Sequence, residues 1–341
     1  MAGKLLRNIW RVLNTEIELN LTVKGGVESG KAVLEMAKAV SSYNYKNLKI
    51  ALLETSPYGG RMTGEVHAKR KSSVDVAVFP KEKTQDVIGE LNQLFPLKNA
   101  DGQPKISFRP VSPVEIILGG QNYIYHVAVT LDAANLLKSI HTVFPSQVTR
   151  VSSQKLKPQL ANGLGEDSYN HYLEGITPEI AEIMEALDKE RLDIARAFGI
   201  QMKPLNECLN THYCIGNHQR FYDAFQACKN VYNSKVPIAK KLALHRFVVE
   251  DLPSINIIEA LGRIANVPTP VTSAVKEVCY WNAQVIGAKQ KSLKGYDINT
   301  LNLPETTETM LEYLENPSEY LQKQQKDKMF LKKLVPIQAK S

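Results

Sequence analysis

A change of hydrophobic period near residue 118 constrains the fold more than any other feature of this sequence. Up to about that point, short β-rich runs alternate with helix-spaced apolar residues, the pattern of strands joined by crossover helices in an α/β layer. Leu19 to Val23 reads as a strand, Gly25-Gly26 as a turn and Lys31 to Val40 as a helix. Leu48 to Leu53 is apolar except for Lys49, as expected of a strand covered on both faces. Val74, Val76 and Val78 recur with period two, whereas Val87, Ile88, Leu91, Leu94 and Phe95 recur at helical spacing. Beyond residue 119 strand signals fade. Ile180, Ile183, Met184, Leu187, Ile194 and Phe198 draw a helical stripe that ends near Gly199, where a helix C-terminus would use a glycine. Thr269-Pro270 predicts an N-cap and a proline at the first helical position of a helix reaching about Gly287. The expected class is α/β plus all-α, in that order along the chain.

Length and composition agree with two such parts. The 341 residues suggest about two domains, and 43% hydrophobic with 23% charged residues excludes disordered, collagen-like and coiled-coil chains. The net charge of +7 is scattered, so no nucleic-acid partner is expected, although it could attract anionic substrates. The lysine-rich end, with Lys323, Lys326, Lys328, Lys332, Lys333 and Lys340, reads as a solvated tail. Four cysteines are too few for a disulfide scaffold and point to a reducing compartment, the cytoplasm. Ile116 to Leu131 is uncharged but carries Gln121, Asn122 and His126 and is short for a membrane span, so no membrane partner is expected. The first fifteen residues carry Lys4, Arg7 and Arg11 without an acid or a serine, and read as a surface helix rather than a transit peptide.

Three constellations bear on chemistry. Gly25-Gly26-Val27-Glu28-Ser29-Gly30-Lys31 fits G-x-x-x-x-G-K, but Ala32 stands where a Mg²⁺-binding hydroxyl is needed and Glu28 sets a carboxylate where phosphate would sit. An ordinary tight turn is the stronger reading. Cys208, His212, Cys214 and His218 fall within eleven residues, but their spacing is not that of paired zinc knuckles, so no metal is expected. The third is spread along the helical half: Asn122-Tyr-Ile-Tyr-His126, Tyr172-Leu-Glu-Gly-Ile-Thr-Pro178 and Arg246-Phe-Val-Val-Glu-Asp251-Leu-Pro253. Asn122 and His126, four apart, would share one face of a helix. A histidine oriented by Asp251 can act as acid and base, and Arg246 can grip a carboxylate with two parallel hydrogen bonds.

These segments also carry a resemblance. Glu54-Thr-Ser-Pro-Tyr-Gly-Gly-Arg61, Asn122 to His126, Gly175-Ile-Thr-Pro178 with Ile180 to Ala195, Glu250-Asp251-Leu-Pro253, Leu261-Gly262-Arg263 and Val267-Pro-Thr-Pro270 match in order. In them the chain resembles the opine dehydrogenases of the octopine and nopaline type. The resemblance implies an incomplete Rossmann-like dinucleotide-binding domain over residues 1–118 and a helical substrate domain over 119–341, as a monomer or dimer. It implies reductive condensation of an amino acid with a 2-oxo acid such as pyruvate, with NAD or NADP as cofactor. His126 would be the acid/base and Asp251 its orienting partner. Arg246, Asn122 and Glu54 would bind substrate, and Gly25 and Gly26 would turn the chain beside the cofactor.

Departures accompany the matches. No G-x-G-x-x-G occurs in the chain, and Met1 falls inside the expected dinucleotide-binding domain. Lys24-Gly-Gly-Val27 lacks the glutamine of the family's proline-glycine-glutamine turn, Val127 stands where proline is common, and Tyr58 replaces tryptophan. Two other functions compete on these grounds: a shortened homologue that binds small molecules without hydride transfer, and a nucleotide binder using Gly25 to Lys31.

Overall fold

The computed structural model describes residues 19–24, 29–42, 48–55, 57–63, 65–95, 98, 102, 106–131, 168–213, 215–232, 235–237, 251–285 and 301–334. Strand β1 (Leu19–Lys24), helix α1 (Ser29–Ser42) and strand β2 (Leu48–Leu53) form a parallel crossover unit with Leu21 opposite Ile50. A hairpin follows, β3 (Tyr58–Thr63) with β4 (Glu65–Arg70), and then β5 (Ser73–Phe79), α2 (Thr84–Leu94) and β6 (Ser107–Pro110). The sheet order is β1-β2-β5-β6. Contrary to the crossover pattern expected from the sequence, β5 runs antiparallel to β2, because a hairpin and not a helix joins them. That hairpin carries Gly59, Gly60, Arg61, Glu65, His67, Lys69 and Arg70, so it lacks the sustained apolar alternation that would have announced it.

β2 is covered on both faces, as its apolar run requires. Ile50 and Leu52 join one core with α1 and α3, while Ala51 and Leu53 join another with Val87, Leu91, Ile106 and Phe108. Each buried Leu, Ile, Val or Phe side chain among these contributes about 1.5–3 kcal/mol. The apolar stripe of α2 is wider than the face it buries: Val87 and Leu91 are covered, whereas Leu94 is 69% exposed.

The second half is built on helices α3 (Pro113–Gly119), α4 (Pro178–Ala197), α5 (Leu205–Tyr213), α6 (Phe221–Ala227), α7 (Lys229–Tyr232), α8 (Ile255–Ile264), α9 (Pro270–Val285), α10 (Thr307–Glu315) and α11 (Pro317–Leu334). It is not wholly helical. β7 (Ser168–Asn170) pairs antiparallel with β8 (Lys235–Pro237), and three-residue strands are too short for alternation to reveal. α4 is the central helix, packed against α3, α6, α8 and α9. Thr177 accepts from the Ile180 amide at 3.3 Å and Pro178 opens the helix. Its predicted stripe is buried, with Ile183 at the edge. At its end Gly199 takes φ 72°, a left-handed geometry that glycine adopts without strain.

Two further expectations change. The first amides of α9 are held by the Glu190 carboxylate of α4, with Val271 N at 2.7 Å and Thr272 N at 2.9 Å, so a distant residue fills the capping role read locally at Thr269. The lysine-rich end is not a free tail over its described part. Helix α11 lies against α1, and α10 lies against α3, with Lys81 and Glu315 paired at 2.6 Å between the two regions. Lys323 and Lys326 remain exposed on the outer side of α11.

Candidate functional site

The site is aimed by α3. Ser112 and Glu115 form a reciprocal capping box, the Glu115 amide donating to Ser112 Oγ at 3.3 Å and the Ser112 amide to Glu115 Oε2 at 2.7 Å. With Pro113 at the first helical position, the entry of α3 is held firmly and nearly all of the helix is buried. Beyond Gly119-Gly120 the chain makes a π-helical turn over Tyr123–Val127. Asn122 precedes this turn half-buried, and His126 lies within it in the core at 3% exposed.

His126 meets Asp251 across 125 residues of chain, with Nδ1 2.5 Å from Oδ2. Asp251 is 0% exposed and sits just before the single turn Leu252–Ser254, in which Pro253 follows directly. The other ring nitrogen, Nε2, lies 2.7 Å from the Tyr172 hydroxyl. With the carboxylate accepting the Nδ1 proton, Nε2 faces the hydroxyl as an acceptor, and the three side chains form one buried line. His171 sets its ring edge-on to His126 at 5.8 Å.

Tyr172 is itself held. Asn170 Oδ1 accepts from the amides of Tyr172 at 3.2 Å and Leu173 at 2.9 Å, a local turn made by an asparagine side chain. Its ring stacks on Phe225 at 5.5 Å and tilts against Tyr232 at 4.7 Å. The sequence gives Tyr172 no role, because no spacing rule links residue 172 to residue 126.

Glu54 lies elsewhere around the same element. It follows β2 directly, its amide donating to the Asp75 carbonyl at 3.0 Å, and its side chain lies against Gly119. A Cβ at 119 would come within 2.7 Å of Glu54 Cγ, so a glycine is needed there. Burial, and then the neighbouring Asp75, raise the Glu54 carboxyl from 4.5 to about 7, against the pull of Lys71, Arg191 and Arg109. Nearby, burial pushes the Cys208 thiol up to about 11, and burial followed by Lys71 pushes His212 down to about 4.

These surroundings suit neutral cysteine and histidine. Gln121 bridges the Tyr125 hydroxyl at 2.6 Å and Cys208 Sγ at 3.8 Å, and His218 Nε2 lies 3.0 Å from the Ile215 carbonyl. Among the described residues no three His, Cys, Asp or Glu side chains gather in a metal-binding group. Arg246, Gly25, Gly26 and Cys214 lie outside the described residues, as does the turn before Ser29 in the G-x-x-x-x-G-K segment.

Residues 111–281, half of the chain, match the profile of the NAD/NADP octopine/nopaline dehydrogenase α-helical domain. The chain belongs to this family. The match runs from just before α3 through His126, Tyr172, α4 and Asp251 into α9. An opine dehydrogenase of Arthrobacter sp. (strain 1C) is 29% identical over 145 residues, 41% of this chain and 39% of that protein. The chain therefore matches about two fifths of that relative's length. Among solved structures, octopine dehydrogenase with NADH and L-arginine aligns at TM-score 0.53 and 16% identity, covering 86% of this chain and 71% of the other. Yersinopine dehydrogenase bound to NADP⁺ aligns at 0.57 and 11%, covering 87% and 71%. At these identities the likeness establishes the shared fold, a Rossmann-like layer followed by a helical domain. None of the described helices is long and apolar enough to cross a membrane.

Proposed function

We propose that the chain is an opine dehydrogenase that condenses an amino acid with a 2-oxo acid, pyruvate being the first to test, and reduces the imine. The observation that carries this is the buried line Asp251–His126–Tyr172 inside the matched helical domain. In this reading the amine adds to the keto carbon, and His126 supplies the proton that lets the resulting hydroxyl leave as water. Asp251 holds the ring's tautomer and stabilises its charged form. Arg246 grips the oxo-acid carboxylate, and Asn122 and Glu54 face the amino acid. Residues 1–118 serve the cofactor and 119–341 the substrates, in the cytoplasm, with Gly25 and Gly26 beside the nucleotide.

NADH or NADPH would supply the hydride when bound. The fit of the described residues to it is partial: β1, α1 and β2 make the parallel unit on which such a cofactor rests, but the chain contains no G-x-G-x-x-G to receive the pyrophosphate. This favours one second reading, a family member that binds substrate-like molecules and has lost hydride transfer. NADH oxidation by the full chain with pyruvate and a panel of amino acids tests the first. Fluorescence titration with NADH separates the two: micromolar affinity supports the dehydrogenase, whereas undetectable NADH binding together with bound amino acid supports the second.

A further inference from the structure

We infer that Tyr172 is the group through which His126 passes its proton, its hydroxyl covering the ring nitrogen that does so. This rests on the dehydrogenase reading of the site. Both ring nitrogens of His126 are engaged, Nδ1 by Asp251 and Nε2 by Tyr172, so the nitrogen available for chemistry is the one the hydroxyl covers. Direct transfer from Nε2 would need the tyrosine to move aside. It is poorly placed to do so, being 4% exposed, stacked on Phe225, tilted against Tyr232, and pinned through its amide by Asn170 Oδ1. Relay through the hydroxyl requires no such movement, because a phenol can accept and donate at once.

The step balances. The Nε2–H proton of the imidazolium moves to the Tyr172 oxygen as the Tyr172 O–H proton moves to the hydroxyl of the addition product between amine and oxo acid. The C–O bond breaks, water leaves, and the nitrogen lone pair closes the C=N bond. His126 ends neutral and Tyr172 unchanged. The aromatic packing around Tyr172 then acquires a purpose, since a relay works only if the oxygen stays within hydrogen-bond reach of the ring.

Tyr172→Phe tests this, because it removes the oxygen and keeps the stacked ring. In the full chain with ¹⁵N-labelled histidine, the His126 Nε2 resonance should shift toward that of an unbonded ring nitrogen while Nδ1 holds. Asp251→Asn should move Nδ1 instead. Near-ultraviolet circular dichroism checks that the fold is kept. In turnover, Tyr172→Phe should lower kcat by about 10- to 100-fold with KM for both substrates within about 3-fold, and a curved proton inventory in H₂O/D₂O mixtures should become linear. An unmoved Nε2 resonance would overturn the hold on the ring. A shifted resonance with unchanged kcat would overturn the relay. Absence of turnover in the wild type would sink the dehydrogenase reading and the relay with it, while the resonance still decides whether Tyr172 holds Nε2.

Discussion

Two groups of buried polar side chains lie within the helical half, and they differ in what their arms hold. On α4, Arg191 is 0% exposed and donates from Nε to Asp188 Oδ1 at 2.7 Å and from Nη2 to the Lys203 carbonyl at 2.7 Å. Asp188 in turn accepts from the Leu205 amide, and Glu190 holds the first amides of α9. These charges end on backbone and tie segments together. In the other group the His126 ring stands between a carboxylate and a hydroxyl, all on side chains. Burial is common to the two groups; the type of partner is what distinguishes them.

The sharpest break of this contrast would come from His126→Ala. It should lower kcat by about 10² to 10⁴-fold if the ring is the acid/base, with Asp251→Asn giving a milder version of the same defect. Near-normal turnover in His126→Ala, measured by NADH oxidation, would erase the distinction between the two groups. Arg191→Met should act on stability instead, costing about 3–5 kcal/mol in denaturant unfolding because Asp188 is left buried without its cation. A loss below about 1 kcal/mol would show that α4 does not depend on the pair.

Glu54 sharpens the comparison, because it is shifted without belonging to either group. Its carboxyl is raised from 4.5 to about 7, so the neutral form is the one the folded state prefers, and that contribution is complete below 4.5 and lost as pH rises through about 7. Glu54→Gln stays neutral throughout. Relative to wild type it should gain about 1–3 kcal/mol of stability between about pH 4 and about pH 8, read from chemical unfolding at each pH. A difference independent of pH would mean that solvent or a cation already compensates the ionised carboxylate. The smallest effect belongs to the exposed pair Lys189 and Asp193 on the outer side of α4, 2.9 Å apart, where Lys189→Ala should change stability by less than about 0.5 kcal/mol.

Much of the fold was legible because periodicity reports burial residue by residue. The β2 run, the β5 alternation and the α4 stripe each emerged with nearly their observed bounds. The hairpin β3–β4 and the short ladder β7–β8 did not, since one is polar and glycine-rich and the other only three residues per strand. At the site, His126 and Asp251 follow from residue type and family resemblance, while the π-helical turn that carries His126 has no local signal in the sequence. Tyr172 was visible as a residue and invisible as a partner.

The sequence by itself determined the kinds of element, the apolar faces they must bury and the residue types able to move a proton or hold an acid, because all of these are encoded within a few turns or strand repeats. Only the tertiary structure decided which of those residues meet. Closing His126 onto Asp251 and Tyr172 requires segments 125 and 46 residues apart to pack around one ring, and the antiparallel placement of β5 and the return of α11 to α1 are likewise choices of connection. Such contacts depend on how whole elements fill space, and no local repeat records them.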